Sequence, residues 1–338
     1  MRQSLITNFR KISEAAAIEA SRWNGRFDAE ACNRGAASAM RQGFGSMNMS
    51  AQVVVGQIEC EDEHTSTNLD TPIAAGEILG RGGDSLSIGI DPVEGTHLCA
   101  NNQPNALTAI AFAPRETLAH VPDVGYMRKL AVGPEVDSSL VSIDKTPKEN
   151  IEMVARCKDV AVEDVVVCVL DRPRHRQLIR AVHDAGARVR LIYDGDIQAA
   201  IAAAMAGTNI DMYMGDGGAP EGLLAAAALK AMGGFFQARY VNLDEAGRHL
   251  IQDSTSFDPD QVITMDQLVS TRDIHFVATG ITDGEMLQGV KRTREGALVT
   301  HSVVLSAIEN TTTFVNTIYR TGKLGWDQAE PGINDSVF

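Results

Sequence analysis

Residues 165–232 alternate short apolar runs with amphipathic or alanine-rich runs, and this alternation constrains the fold more than any other feature of the chain. The runs "DVVVCVL", "RVRLIYD" and "IDMYMGD" are typical of buried strands, and "RHRQLIRAVHDAG", "IQAAIAAAMAG" and "LLAAAALKAMGG" are typical of helices. Strands that alternate with helices form βαβ units around a parallel sheet. The sequence therefore predicts an α/β fold whose ligands bind at the carboxyl ends of these strands.

The first 140 residues mix helices and strands without strict alternation. Apolar residues at helical spacing predict a helix at the start, and "GAASAMRQGF" predicts a second one. Strands are predicted at "AQVVVGQIE", "SLSIGI" and "NALTAIAFAP", and again in three late apolar runs after residue 270. The polar stretch 136–149 is the best candidate for a junction. We therefore expect an N-terminal α+β lobe over residues 1–140 and a C-terminal α/β lobe over residues 150–338.

The chain is acidic, and its cysteines follow no disulfide or zinc pattern. Its 338 residues include 30 Lys and Arg against 44 Asp and Glu, giving a formal charge of −14. This charge repels polyanions and argues against nucleic acid as the main partner. The five cysteines, without a Cys-x-x-Cys spacing, indicate a reduced cytoplasmic setting. Neither a signal peptide nor an apolar run of about 18 residues is present, so we expect no membrane partner.

The stretch "SIGIDPVEGTHL" places two acids, Asp91 and Glu94, at the end of a predicted strand and directly before Gly95 and Thr96. Acidic oxygens beside a hydroxyl and a glycine suit a divalent cation held against a phosphate group. The same residues also suit an ordinary turn. Taken alone, the motif leaves both interpretations open.

Three consecutive predicted strands end in polar residues, at "LDRPRH", "YDGD" and "GDGGAPEG". If these strands are parallel neighbours, the polar side chains that follow them meet at one edge of the sheet. They are Arg172, Arg174, Asp194, Asp196 and Glu221. Arginines there suit a phosphate, and acids suit sugar hydroxyls or a metal ion. Strand-to-helix loops are commonly polar, and Glu221 also suits the first turn of a helix, so it is the succession of three such loops that favours a site.

Other catalytic arrangements have little support in the sequence. The histidines show no zincin-type spacing, and only His175, beside Arg174, lies in one of the polar loops. No Gly-x-Ser-x-Gly elbow indicates a hydrolase triad. "GRGGD" matches neither the dinucleotide fingerprint nor the P-loop, so a nucleotide-binding module built on the βαβ half is an unfavoured alternative.

Taken together, these segments resemble the class II fructose-1,6-bisphosphatases of the GlpX type, within the lithium-sensitive sugar-phosphatase superfamily. The resemblance covers nearly the whole chain in order, through "FRKISEAAA", "WNGR", "AASAMR", "IDPVEGT", "NALTAIA", "YMRKLAVGP", "RPRH", "DGDI", "GGAPEG" and "ATGITDG". It implies a layered α/β/α/β/α sandwich of two lobes. It also implies a Mg²⁺- or Mn²⁺-dependent phosphatase of sugar-phosphate metabolism, a homodimer or homotetramer, that removes the 1-phosphate of fructose 1,6-bisphosphate. Some relatives also accept sedoheptulose 1,7-bisphosphate.

The resemblance assigns roles to individual residues. Asp91, Glu94 and Glu221 match the metal-binding carboxylates, and Thr96 matches the hydroxyl that orients or activates the attacking water. The residues expected to act in catalysis are therefore Thr96, Asp91 and Glu94. The expected substrate-binding residues are Glu94, Gly95, Thr96, Tyr126, Arg172, Pro173, Arg174, Asp194, Gly195, Asp196 and Gly218.

Three positions depart from the family pattern. Ala29 and Asn33 replace a lysine and a metal-binding aspartate, and Gln57 replaces a metal-binding glutamate. An amide oxygen still binds Mg²⁺ but brings no negative charge, so we expect a weakened metal site unless Glu59 or Glu61 substitutes. The alternative function is a weak or inactive paralogue that binds a sugar phosphate, or a phosphatase that acts on a different phosphate ester.

Overall fold

The computed structural model of the chain describes residues 3–56 and 72–320, which form helices and strands in two mixed sheets. The helices of this part are α1 (Gln3–Ser21), α2 (Ala29–Gly45), α3 (Thr96–Ala100), α4 (Pro147–Lys158), α5 (Arg176–Asp184), α6 (Asp196–Ala204), α7 (Ala219–Met232), α8 (Glu245–Ser254) and α9 (Met265–Leu268). None of them is long and apolar enough to cross a membrane.

The strands of the same part lie in two sheets. They are β1 (Met49–Val55), β2 (Ile78–Leu79), β3 (Asp84–Glu94), β4 (Leu107–Pro114), β5 (Tyr126–Val132), β6 (Val166–Leu170), β7 (Arg188–Ile192), β8 (Met212–Gly218), β9 (Phe235–Val241), β10 (Ile263–Thr264), β11 (His275–Gly280), β12 (Lys291–Arg292), β13 (Leu298–Ser306) and β14 (Thr311–Tyr319). The first sheet has the order β12-β13-β11-β4-β3-β1-β2, with β14 paired to β13. The second has the order β10-β9-β5-β8-β6-β7.

The three strands of the alternating segment are parallel neighbours. β6 pairs in parallel with β7 on one side and with β8 on the other. The antiparallel strands β5 and β9 extend this core of the second sheet. The parallel sheet predicted from the alternation is confirmed, and the carboxyl ends of β6, β7 and β8 therefore lie along one edge.

The helices α6 and α7 lie between the two sheets. Ten of the 14 residues of α7 are buried, because its alanines and leucines contact the first sheet on one side and the second sheet on the other. In β4, Ala109 and Ala111 belong to this central core, whereas Ile110 and Phe112 belong to the core beneath α1 and α2. A helix that is apolar all round is typical of a buried layer.

The outer layers complete the sandwich. On the first sheet, the ring of Phe9 in α1 stacks on that of Phe112 with centroids 3.9 Å apart. On the far face of the second sheet, Ile151 and Val154 of α4 and Val182 of α5 pack against the strands. The order of layers is thus helices, sheet, helices, sheet, helices, and the predicted α/β/α/β/α sandwich is confirmed.

Each sheet draws strands from both sides of the polar stretch that was predicted as a junction. β5, which precedes it, lies in the second sheet, and β11 to β14, which follow it, lie in the first. Helix α4 already begins at Pro147, within that stretch, where Thr146 and Glu149 form a capping box. The division into lobes at residues 140–150 stays a prediction.

The buried middle layer predicts a large difference between two alanine positions. Ala227→Leu in α7 should lower the free energy of unfolding by about 1–3 kcal/mol, because the fully buried site between the sheets has no room for a larger side chain. The same substitution at exposed Ala246 in α8 should change it by less than about 0.5 kcal/mol. Urea denaturation measures both values. Equal effects at the two positions would contradict a closely packed middle layer.

Candidate active site

The acidic motif lies at the carboxyl end of β3, where the strand bulges. In the pairing of β3 with β4, Asp91 faces Ala109 but Glu94 faces Leu107, so β3 carries an extra residue. The Val93 N–H donates to Asp91 Oδ1 at 3.0 Å, which holds this carboxylate against its own strand. Gly95 then adopts φ +79°, where a Cβ would lie 2.8 Å from the Leu98 side chain, and the chain turns directly into α3.

Glu94 connects the first sheet to the middle helical layer. It is 5% exposed, and its Oε1 accepts a hydrogen bond from the Ile197 N–H, in the first turn of α6, at 2.8 Å. The first N–H groups of a helix have no intrahelical acceptor, so a carboxylate satisfies this one well. Asp194, just before α6, is oriented by the Gly195 N–H, which donates to its Oδ1 at 3.1 Å.

Glu221 enters the same region from the first turn of α7. Its Oε2 is buried and has no hydrogen-bond partner in the described chain. A Cβ on Gly218 would lie 2.0 Å from that oxygen, so the glycine allows the glutamate to fold back over the start of the helix. The predicted metal carboxylate is thus a half-buried acid whose buried Oε2 has no hydrogen-bonding donor in the described chain.

These segments enclose a cavity of about 360 Å³, which we call the acidic cavity. Of the predicted site residues it brings together Asn33, Asp91, Glu94, Gly95, Thr96, Asp194 and Glu221. Asp123, in the loop before β5, also lines it and was not predicted from the sequence. Gln57, Glu59 and Glu61 lie outside the described residues.

The acids of this cavity resist ionisation. Burial raises the pKa of Asp91 to about 6 and that of Glu221 to about 7. Burial also raises the pKa of Glu94 well above its usual range, and the neighbouring carboxylates Asp196, Asp91 and Glu221 add to the effect. Burial raises the pKa of Asp194 as well. A cluster of buried like charges of this kind is typical of a site that binds a cation.

A buried lysine, which the sequence did not single out, partly neutralises the cluster. Lys129 of β5 has no exposed side-chain surface, and its Nζ lies 2.5 Å from Asp196 Oδ2. Lys129 also opposes the rise in the pKa of Glu221. A Cβ on Gly217 would lie 1.7 Å from Asp196 Oδ2, so this strand position excludes every side chain. The sequence does hold a signal for this buried lysine, because Lys129 lies two residues from Met127 and from Ala131 and therefore on the same face of β5.

The loop of residues 171–175, which we call the arginine loop, contributes no residue to the lining of the acidic cavity. Arg174 donates from Nε and Nη2 to the Asp216 carbonyl oxygen at 3.0 and 2.7 Å, and its guanidinium carbon lies 4.3 Å from the centroid of the Tyr126 ring. Pro173 opens a short 3-10 turn, and Arg172 precedes it. In the β5–β8 pairing Tyr126 faces Gly218, the residue before α7, so the loop adjoins the segment that carries Glu221.

His175, the histidine of the same loop, is a structural residue. Its Nδ1 donates to the Leu170 carbonyl oxygen and its Nε2 accepts from the Asp216 N–H, both at 2.7 Å. Burial lowers its pKa, which keeps the ring neutral and favours this hydrogen-bond pattern. Both nitrogens are therefore committed to holding the loop on β8.

The oxygen donors of the acidic cavity fit a hard divalent cation. Carboxylates, an amide and a hydroxyl are ligands that Mg²⁺ and Mn²⁺ prefer, and the Glu221 oxygen without a partner is one such donor. Within residues 3–56 and 72–320, no three His, Cys, Asp or Glu side chains lie close enough to ligate one ion. Side-chain movement, the Asn33 amide or water would complete the coordination.

The raised pKa values predict that the metal-free protein loses stability as the pH rises. The folded chain binds protons at Asp91, Glu94 and Glu221 more tightly than the unfolded chain does, so their contribution to stability is present at low pH and is lost as the pH passes through about 6 and about 7. With a chelator present, the melting temperature followed by circular dichroism should fall between about pH 5 and about pH 8. Glu221→Gln should reduce this fall.

The matched control is Glu245→Gln at the exposed start of α8, which should leave the fall unchanged. A fall of equal size in the Glu221→Gln variant would contradict the assignment of the pH dependence to the acidic cavity.

Comparisons with known proteins identify the family of the chain. The sequence matches the family described as bacterial fructose-1,6-bisphosphatase, glpX-encoded, over residues 3–319. It is 36% identical over 336 residues to the D-fructose 1,6-bisphosphatase class 2/sedoheptulose 1,7-bisphosphatase of Trichodesmium erythraeum (strain IMS101), covering 93% of this chain and 95% of that protein. It is 36% identical over 328 residues to the protein of the same name from Synechococcus elongatus, covering 91% and 94%. The chain therefore belongs to the glpX-encoded fructose-1,6-bisphosphatase family of metal-dependent phosphoric monoester hydrolases.

Proposed function

We propose that the chain hydrolyses the 1-phosphate ester of fructose 1,6-bisphosphate and accepts sedoheptulose 1,7-bisphosphate as a second substrate. The observation that carries this proposal is the acidic cavity, in which Asp91, Glu94, Thr96 and Glu221 come together from distant parts of the chain. The names of the two cyanobacterial relatives support the substrates. They also favour an active phosphatase over an inactive paralogue.

The residues of the β3–α3 segment would carry the hydrolytic step. Thr96 lines the cavity two residues after Glu94, so its hydroxyl can orient a water molecule toward the phosphorus atom. Glu94 is fixed by the Ile197 N–H at its Oε1 and shares a hydrogen bond with Asp91, which positions its carboxylate to bind a metal ion or to accept a water proton. Asp91 is held by the Val93 N–H in the same way. Positioning of these groups by backbone donors lowers the reorganisation that the reaction requires.

The loops after β6, β7 and β8 would bind the substrate. Arg172 and Arg174 provide guanidinium groups for the phosphate that is retained, and Tyr126 provides an exposed phenol beside Arg174. Asp194 and Asp196 provide acceptors for sugar hydroxyls, and Lys129 holds Asp196 in a single orientation. The set of substrate residues is completed by Gly95, Pro173, Gly195 and Gly218.

Asp91, Glu94 and Glu221 would hold the metal ion, with Asn33 as a neutral oxygen donor. We propose Mg²⁺ or Mn²⁺, which when bound neutralises charge on the phosphoryl oxygens and lowers the pKa of a coordinated water. A cytoplasmic homodimer or homotetramer is part of the same proposal, by analogy with the family.

The proposal predicts phosphate release from both bisphosphates in the presence of Mn²⁺ or Mg²⁺. Thr96→Val should lower kcat by about a hundredfold or more, because the hydroxyl that orients the water is lost while the side-chain volume is kept. Thr312→Val, at an exposed position of β14, should leave kcat unchanged. Phosphate release is measured colorimetrically at saturating substrate. Folded protein that releases no phosphate from either substrate would overturn the proposal.

The departures at Asn33 and Gln57 predict a weak affinity for the metal ion. Asn33→Asp combined with Gln57→Glu should lower the Mn²⁺ concentration for half-maximal activity by about tenfold or more, because two anionic ligands are restored. Asn316→Asp, exposed on β14, adds a charge away from the cavity and serves as the control. An unchanged metal requirement in the double variant would mean that other residues supply the missing ligands.

A further inference from the structure

A second cavity, with a lining chemically unlike that of the acidic cavity, lies between the turn that joins α1 to α2 and the hairpin of β12 and β13. Its volume is about 730 Å³, and we call it the cationic cavity. Four basic residues line it: Arg22, Arg26, Lys291 and Arg292. It shares no lining residue with the acidic cavity. Four cations around one opening are unusual on a chain with a formal charge of −14.

Within the described residues, two of the four basic side chains of this cavity form ion pairs. Arg22 pairs with Glu19 at 3.0 Å, and Lys291 pairs with Asp283. Arg26 and Arg292 form no ion pair with any residue of the described chain. Both side chains are exposed, so their guanidinium groups can turn toward a shared ligand. Two guanidinium groups without an ion pair in the described part of the chain favour an anion with several acceptor oxygens, because each group can donate two parallel hydrogen bonds.

Trp23 forms part of the wall of the cationic cavity. The guanidinium carbon of Arg26 lies 5.7 Å from the centroid of its indole ring, and the ring itself is half-buried. This contact orients Arg26 at the cavity without consuming its hydrogen-bond donors. The indole therefore also reports on any ligand that displaces or immobilises Arg26.

The turn that carries these residues is bonded to the helix of the catalytic motif. The Gly25 N–H donates to the Cys99 carbonyl oxygen at 3.1 Å, and the Phe27 N–H donates to the Ala100 carbonyl oxygen at 2.9 Å. Both acceptors belong to α3, the helix that begins at Thr96. The turn that would hold the anion is therefore hydrogen-bonded to α3, and the first residue of α3, Thr96, lines the acidic cavity.

We propose that the cationic cavity is a binding site for a phosphate-bearing anion, separate from the active site. Arg26 and Arg292 bind the phosphate oxygens, and Arg22 and Lys291 contribute longer-range attraction. Anion binding at the cationic cavity does not depend on which substrate the active site accepts, because the two cavities share no lining residue.

Tryptophan fluorescence tests the proposal directly. The chain has two tryptophans, and Trp326→Phe leaves Trp23 as the single reporter. This protein is titrated separately with inorganic phosphate and with glycerol 3-phosphate, against sodium chloride of equal ionic strength. A saturable change with either probe is expected. The two titrations distinguish a site for free phosphate from a site for phosphate esters, and either result supports the proposal.

Variants localise the response. Arg26→Gln with Arg292→Gln should weaken binding by about tenfold or more, because two charge-assisted contacts are lost. Arg272→Gln with Arg294→Gln removes the same charge from exposed positions outside the cavity and should leave binding unchanged. Arg172→Gln with Arg174→Gln, in the arginine loop, should preserve the response of Trp23. Melting temperatures check that each variant is folded.

Calorimetric titration of the wild-type chain and of the Arg26/Arg292 variant covers the case in which Trp23 is insensitive to the ligand. The proposal is overturned if the wild-type chain binds neither probe outside the arginine loop. It is overturned equally if the Arg26/Arg292 variant binds both probes as tightly as the wild-type chain does.

Discussion

The thin helical layer of α6 and α7 is the constraint on which the rest of the structure depends. Two sheets can share one layer of helices only if the helices present small side chains to both, and the alanines of these helices meet that requirement. The contact is close: a Cβ on Gly89 of β3 would lie 3.2 Å from the Leu224 side chain of α7. Because of this approach, the end of β3 in the first sheet reaches the starts of α6 and α7, and the acidic cavity forms where they meet.

This arrangement places several carboxylates in a largely buried region, at a cost in stability. Their pKa values rise because burial disfavours the charged forms, and Lys129 is the buried cation that offsets part of the charge. Lys129 pairs with Asp196, and within residues 3–56 and 72–320 neither Glu94 nor Glu221 forms an ion pair. A site of this kind is less stable without a cation than with one, which links metal binding to folding.

The sequence predicted the fold well wherever the signals were local. The parallel arrangement of β6, β7 and β8 follows from the alternation of strands and helices. The high alanine content of α6 and α7 indicates that these helices are buried in the middle layer. The return of β11 to β14 to the first sheet is a pairing between distant segments, which periodicity does not encode. The start of α4 was locally encoded and overlooked, since Thr146 and Glu149 carry a capping-box pattern.

The sequence predicted only those residues of the candidate site that lie in recognisable motifs. Asp91, Glu94 and Glu221 stand out in the sequence because they lie in short glycine-containing turns at strand and helix ends, but only the resemblance to the family assigned them to a metal ion. Asp123 lies in a loop without a motif, and the importance of Lys129 depends on Asp196, a partner 67 residues away. The sequence places His175 in a polar loop but gives it no role, and its structural role follows only from the hydrogen bonds of both ring nitrogens to the backbone.

The amide of Asn33 affects the electrostatics of the acidic cavity, which it lines together with the carboxylates. A carboxylate at that position would face Asp91, Glu94 and Glu221 across the same cavity, and would raise their pKa values further in the absence of a cation. An amide removes that repulsion and keeps an oxygen donor, so the metal-free fold gains stability while the affinity for the ion falls. If the site holds a metal ion as proposed, it fills at a higher metal concentration than a site with a carboxylate at residue 33 would. The amide at Asn33 thus changes the metal concentration at which the proposed site is occupied, and leaves in place the acids and the hydroxyl that we propose for the hydrolysis.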